Sequence, residues 1–428
     1  MAVCAHRGEI LHLTGNPSVD GPDAIAHFED GVLLIEDGVV QRCGPAVDML
    51  GSLPADCDIE QHDHGLIVPG LIDTHVHFPQ VEVMAAYGTQ LLDWLVTHTF
   101  PAERKFSDPV YAADVATFFL DQMLNNGTTT ALVFGTVHPA SVNAFFEAAA
   151  ARRLRMICGK VMMDRNAPDY LCDTPDQSYQ ESKALIHRWH NHQRLGYAVT
   201  PRFAPTSSDA QLDKARQLLQ EFPDLHLHTH LAENQQECKW VSELFPHSTS
   251  YLNVYDQHQL LGRRSVFAHS LHLGQNDWSR LQQSNSGIAH CPLSNLFIGS
   301  GLFDYQSALQ HQINVGLGTD IGGGDSFSIL RTINEAYKVQ QLNGFNLSPF
   351  ECLYLATLGG ARTLDLDQHI GNFAPGKEAD FIVLDYKATA LIDFRIKTCS
   401  TLQERLFVLQ MLGDDRVVRQ TRILGELI

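Results

Sequence analysis

The chain lacks several features that would each have signalled a function. No apolar run approaches the roughly 18 residues needed to cross a bilayer. Met1–Gly15 has no apolar centre of the kind a secretory signal carries. A membrane partner is therefore not expected, and the cytoplasm is the expected compartment. Positive charge is scarce: 30 Lys and Arg stand against 49 Asp and Glu, for a formal net charge of −19. With no Lys/Arg cluster to offset it locally, such a surface repels phosphate, so no nucleic-acid partner is expected. The nine cysteines are scattered singly from Cys4 to Cys399 without a CxxC pair, which removes zinc-finger and thiol-redox readings. Gly322-Gly323-Gly324 lacks the Lys-Ser/Thr of a phosphate-binding loop and reads as a permissive turn. Neither an internal repeat nor a low-complexity linker occurs.

What is present is a globular composition, 44% hydrophobic and 18% charged, with 22 histidines. The 428 residues accommodate a barrel of about 250 residues with a smaller companion. Up to Val68 the pattern is one of short strands and turns. Val32–Glu36, the Asp37-Gly38 turn and Val39–Arg42 predict a hairpin. From Pro69 to about Asp367 short apolar strands alternate with helical stretches. Strands are predicted at Thr129–Phe134, Arg155–Met162, Ala198–Phe203, Leu225–Leu231, Ser265–Ala268, Gly287–His290 and Asn314–Gly318, with helices such as Ala112–Asn125 and Ala140–Arg153 between them. This alternation predicts an α/β fold, a parallel sheet closed into a (β/α)8 TIM-like barrel. Phe381–Asp385 and Arg416–Arg422 are strand-like again. The expected division is a small β-sandwich domain composed of residues 1–68 and 371–428, around a barrel of residues 69–370.

The histidines fall at predicted strand ends. Pro69–His77 is an apolar strand closing in His75-Val76-His77. Side chains two apart share one face, so both imidazoles can reach one metal; a solvated edge is the alternative. Leu225–Leu231 alternates strictly and puts His226, His228 and His230 on one face. Alternate residues lie ~6.6 Å apart along a strand, too far for three to share an ion. Barrel active sites sit at strand C-termini. His230 is therefore the expected ligand, and His226 and His228 are expected to be buried and hydrogen-bonded. Glu233, just beyond, can carry a proton or can be an ordinary helix-start glutamate. Val315–Thr319 ends in Asp320, a candidate ligand and proton acceptor, or the N-cap of the next helix. His269 closes another strand and alone reads as a satisfied core or loop histidine. Taken jointly, three imidazoles and a carboxylate make a tetrahedral zinc shell with an open position, which suits hydrolysis because zinc acidifies water.

This order of motifs resembles the amidohydrolase superfamily. Pro69–His77, His230, His269 and Asp320 match its metal signature, and Glu233 in His-Leu-Ala-Glu matches its mononuclear deaminases. Ile370–Asp380 is similar to that superfamily's return into a small β domain. Within it, the closer likeness is to the guanine deaminases. Leu91–Leu95, Thr99–Glu103, Gly159–Asp164, Thr200–Phe203, Ala289–Asn295 and Gly316–Asp320 carry it. The resemblance implies one Zn2+ per chain on His75, His77, His230 and Asp320. It implies catalysis by Glu233, Asp320 and His269, the last holding water. Gln80, Arg202 and Phe203 would contact the purine and Trp94 would close the pocket. It also implies guanine and water as substrates, and a homodimer. Lys160, at a strand end where some binuclear relatives carry a carboxylated lysine, is read as non-ligating. The cytidine-deaminase signature is absent, and Cys291-Pro292 does not supply it. The rivals are a mononuclear deaminase acting on 8-oxoguanine, triazines or thio-adenosine, and a barrel that serves only as a scaffold.

Overall fold

The computed structural model describes residues 3–55, 57–88 and 90–428. Residues 1, 2 and 56 of the expected small domain and residue 89 of the expected barrel lie outside the described residues. Eight parallel strands form the barrel: β1 (Leu71–His77), β2 (Thr128–Phe134), β3 (Arg155–Gly159), β4 (Gly196–Pro201), β5 (His226–Leu231), β6 (Ser265–His269), β7 (Gly287–His290) and β8 (Val315–Leu317). Each pairs with the next in sequence order, as right-handed βα units require. The strand predicted over Arg155–Met162 breaks at Lys160, and Val161–Met162 pairs separately with β4.

Side-chain alternation divides the core. On β5, Leu227 and Leu231 join the large apolar cluster of strands and helices, while His226, His228 and His230 alternate with them. Ile72, Leu132, Ile157, Ala198, Val266 and Ala268 form a second cluster with Leu364, Leu366 and Ile370, which come from the chain beyond β8. His226 Nε2 donates to the Leu364 carbonyl at 2.7 Å.

Between β8 and β1 polar groups take the place of a regular ladder. The Asp320 N–H donates to the His75 carbonyl (2.9 Å), Thr74 Oγ1 to the Leu317 carbonyl (3.0 Å), and the Thr319 N–H to Asp73 Oδ1 (3.1 Å). Gly318 is needed at this seam, because a Cβ there would lie 3.0 Å from the His75 carbonyl oxygen.

The two ends of the chain interleave in one seven-stranded sheet. Its order is Glu426–Leu427, Val418–Ile423, Phe381–Asp385, Asp58–Pro69, Val3–Leu13, Ile25–Glu36, Val39–Pro45. Apolar clusters form around Ile10, Leu33, Ile67 and Phe381, and around Ala5, Val32 and Met49. The tail is not strand alone. It also holds the helices Ala390–Ile396 and Leu402–Leu412, tied to the barrel where Gln410 Nε2 donates to the Pro349 carbonyl and Asn334 Nδ2 to the Met411 carbonyl. No helix among the described residues is long and apolar enough to cross a membrane.

Candidate active site

The barrel strands end abruptly at one mouth. Ala232, His269, Ser270 and Asp320 all have φ between +48 and +66°, a left-handed backbone that side chains with a Cβ rarely adopt. Such strain persists only where surrounding structure enforces it, and it clusters at functional sites. Here it falls on the predicted site residues His269 and Asp320 and, at Ala232, on the neighbour of Glu233.

His75, His230 and His269 are each held by one nitrogen and present the other. His75 Nδ1 lies 2.7 Å from His228 Nε2, which turns His75 Nε2 toward Asp320 Oδ1 at 3.1 Å. His230 Nδ1 donates to the Arg202 carbonyl at 2.7 Å, leaving Nε2 as a lone pair facing His77 Nε2 at 3.2 Å. His77 Nε2 is 3.3 Å from Asp320 Oδ1. His269 Nδ1 faces Asn295 Oδ1 at 2.8 Å, and its Nε2 approaches Asp320 Oδ2 at 3.7 Å and Glu233 Oε2 at 3.5 Å. His75 Nε2 and His269 Nε2 are buried with no hydrogen-bond partner. Unpaired nitrogens converging on a carboxylate are costly unless a cation joins them. The donor set therefore fits a metal ion, and the metal-capable atoms of His75, His230, His269 and Asp320 lie within 4.8 Å of one another. His77 borders the same point through His230 and Asp320.

Burial drives the electrostatics. It pushes the His77 imidazole down to about 3, against the pull of Asp320, so the ring is neutral and free to ligate. Burial, and then the Asp320 charge, push Glu233 well above the usual carboxylate range. Burial also disfavours the Asp320 carboxylate, but His75 and then His77 hold it well below the usual range. Two carboxyl groups in one site are thereby separated into an acid and a base. Glu233 is fixed from behind. Its N–H donates to Glu237 Oε2 at 2.9 Å, and Glu237 is the reciprocal partner of the Asn234 capping box that starts the next helix. Asp320 is no helix cap, since Ser328 caps Ile329–Leu342.

The mouth opens into a pocket lined by His77, His230, Asp320 and Glu233 together with Gln80, Trp94, Arg202 and Phe203. Every residue expected from the sequence thus meets at one place, with His75 and His269 buried behind. Lys160 stands apart, spent in buried ion pairs with Asp173 and Glu181.

Residues 66–428 match the family model described as Amidohydrolase family. The chain belongs to the amidohydrolase family. This amidohydrolase is 52% identical over 428 residues to the guanine deaminase of Escherichia coli strain K12, covering 99% of this chain and 97% of that protein. The solved structure of E. coli guanine deaminase superposes with a TM-score of 0.96 at 50% identity, covering 100% of this chain and 99% of that one. Guanine deaminase from C. acetobutylicum, solved with guanine bound in its active site, superposes with a TM-score of 0.90 at 28% identity and 100% coverage of both chains.

Three residues at the amidohydrolase site had no role assigned from sequence. Asn295 orients His269, and Glu237 holds the Glu233 backbone. Glu103 receives both Arg202 Nη1, at 2.9 and 2.8 Å, and Gln80 Nε2, at 3.0 Å. The capping spacing Asn234–Glu237 was the one local signal for any of them.

Proposed function

We propose that the chain hydrolyses guanine at C2, giving xanthine and ammonia, with one zinc ion per chain held by His75, His77, His230 and Asp320. The observation that carries this reading is the single pocket that joins the convergent imidazoles and the acid–base carboxyl pair to Arg202, Gln80 and Phe203. A bound zinc ion would supply Lewis acidity, which makes water easier to deprotonate at neutral pH. In the reaction, water oxygen bonds to C2 while Asp320 takes one water proton and Glu233 gives its own to the adjacent ring nitrogen. Asp320 then hands its proton to the amine, and the C2–N bond breaks to release ammonia. The remaining proton of the new C2 hydroxyl returns to Glu233, which is ready for another turn. His269 holds the attacking water, Arg202 donates to the purine carbonyl, Phe203 packs on the ring and Trp94 closes the pocket. A homodimer, expected from the family resemblance, in the cytoplasm and serving purine breakdown, and a division into residues 1–68 with 371–428 and residues 69–370, expected from the strand and helix pattern, complete the reading.

The test is purified protein with guanine, followed for xanthine and ammonia, alongside adenine and 8-oxoguanine, with metal content measured on the same sample. Guanine turnover with about one zinc per chain supports the reading. Full metal with turnover of another ring only would overturn the substrate assignment.

A further inference from the structure

Arg202 and Gln80 do not stand alone in the pocket. Both are tied to Glu103, which is fully buried behind them, while Gln80 and Arg202 line the pocket. Glu103 takes two contacts from a single guanidinium nitrogen, Nη1. Among the described residues nothing accepts from Arg202 Nε or Nη2, and Phe100 covers one face of the guanidinium at 5.6 Å. Gln80 spends its Nε2 on Glu103. That choice decides which way round the amide sits, since Asn and Gln amides take the orientation their partners demand. Its Oε1 is then turned toward Gly322 in the mouth, so close that a Cβ there would lie 2.0 Å from it. No described residue donates to that oxygen.

We infer that Glu103 is a positioning and specificity-determining residue, which sets the pocket to read a neutral substrate edge with a carbonyl oxygen and a ring N–H. The inference rests on the proposed activity and adds to it. Glu103 acts in two ways. Its charge offsets Arg202, so the pocket does not demand an anion. Its oxygens also place both readers: they anchor Arg202, which can only donate, and they take the Gln80 amide N–H, so that Gln80 presents its acceptor. A ring bearing an amino group in place of the oxo group sets donor against donor at Arg202. Discrimination of this kind comes from leaving buried polar groups unpaired, and it is large.

The experiment compares guanine with 2,6-diaminopurine, which keeps the reacting 2-amino group and replaces the oxo group. Wild-type turnover of guanine tests the activity itself; the ratio of kcat/KM for the two rings tests Glu103. In Glu103→Gln the charge that holds Arg202 is lost, an amide NH2 replaces one of the two carboxylate oxygens, and both readers are left on a neutral acceptor. The expected result is unchanged metal content with the guanine preference reduced by about 10- to 150-fold, the worth of one charged hydrogen bond. Equal losses on both rings would mean that Glu103 only supports the fold, and would overturn the inference. Should Glu103→Gln fail to fold with Arg202 left unpaired, Arg202→Met and the double variant Glu103→Gln/Arg202→Met remove the stranded cation. If Glu103 acts through Arg202, the second change lowers the ratio by less than about threefold further, and independent, additive losses would refute it.

Discussion

Two histidine clusters in this molecule use the same residue types to opposite ends. At the barrel mouth His75, His77, His230 and His269 surround Asp320. In the small sheet His6 and His62 surround Glu60, at 3.8 Å each. Both sets are close enough to be read as metal sites. The difference lies in what the atoms have already spent. His6 Nδ1 and His62 Nε2 hydrogen-bond each other at 3.0 Å, and both Glu60 oxygens accept from Arg422, at 2.7 and 2.6 Å. At the mouth, the outer nitrogens of His75, His230 and His269 are held by His228, Arg202 and Asn295, while the inner nitrogens of His75 and His269 stay unpaired beside Asp320. A ligand set is therefore recognised by its unspent lone pairs more than by its residue types. The guanidinium beside Glu60 supplies the charge that an ion would have supplied.

The largest effect expected from this contrast follows metal removal. Dialysis against a chelator should abolish guanine turnover, and added zinc at about one ion per chain should restore it. A second equivalent bound with similar affinity would place the small sheet on the same footing and break the comparison. Next, Glu233→Gln should keep its zinc and lose about 10²- to 10⁴-fold in kcat, because an amide cannot shuttle the proton. Near-normal kcat would remove Glu233 from the chemistry. The same raised carboxyl predicts an alkaline limb: as pH climbs through its elevated pKa the acid form is lost and kcat falls. That limb should be missing from whatever activity Glu233→Gln retains.

Arg202→Ala should lower kcat/KM for guanine by roughly 10- to 150-fold, the worth of a charged hydrogen bond. An unchanged value would mean that the side chain does not face the ring. In the small sheet, His62→Ala should leave activity and metal content alone and cost roughly 1–3 kcal/mol of stability through the stranded His6 nitrogen. Thermal melts alongside metal analysis would show it.

The smallest effect is an acid one. Burial, and then Arg422, push His6 from 6.5 to about 3. Between those values the unfolded chain binds a proton that the folded chain refuses, so stability falls as pH drops through the window. His6→Leu/His62→Leu should flatten this part of the melting profile; a curve parallel to wild type would show that the pair does not titrate on unfolding.

Much of this architecture was legible in the sequence because its causes are local. The alternation of Leu225–Leu231, the apolar run into His75-Val76-His77 and the Gly-rich approach to Asp320 each mark a strand and the end at which it stops. Strand ends of a barrel share one mouth, so the ligands could be gathered without coordinates. The helices Ala390–Ile396 and Leu402–Leu412 were not legible. The second of these buries Leu406, Val408 and Leu409 among barrel helices, and its pattern lacks a clean exposed face. Glu103 was invisible as a partner because it ends a four-residue helix, Phe100–Glu103, 99 positions from Arg202.

The sequence by itself determined the barrel and placed the candidate ligands and candidate acid–base pair at its strand ends, since period-2 patterning and strand-end chemistry act over a few residues. Only the tertiary structure decided which polar groups are spent and which remain available. It pairs His75 with His228 across 153 positions, closes β8 on β1 through Asp73 and Thr74, and turns Gln80 by way of Glu103. Such pairings are set when distant segments lose water together, because an unpaired polar atom is costly in the interior and its partner can come from anywhere in the chain.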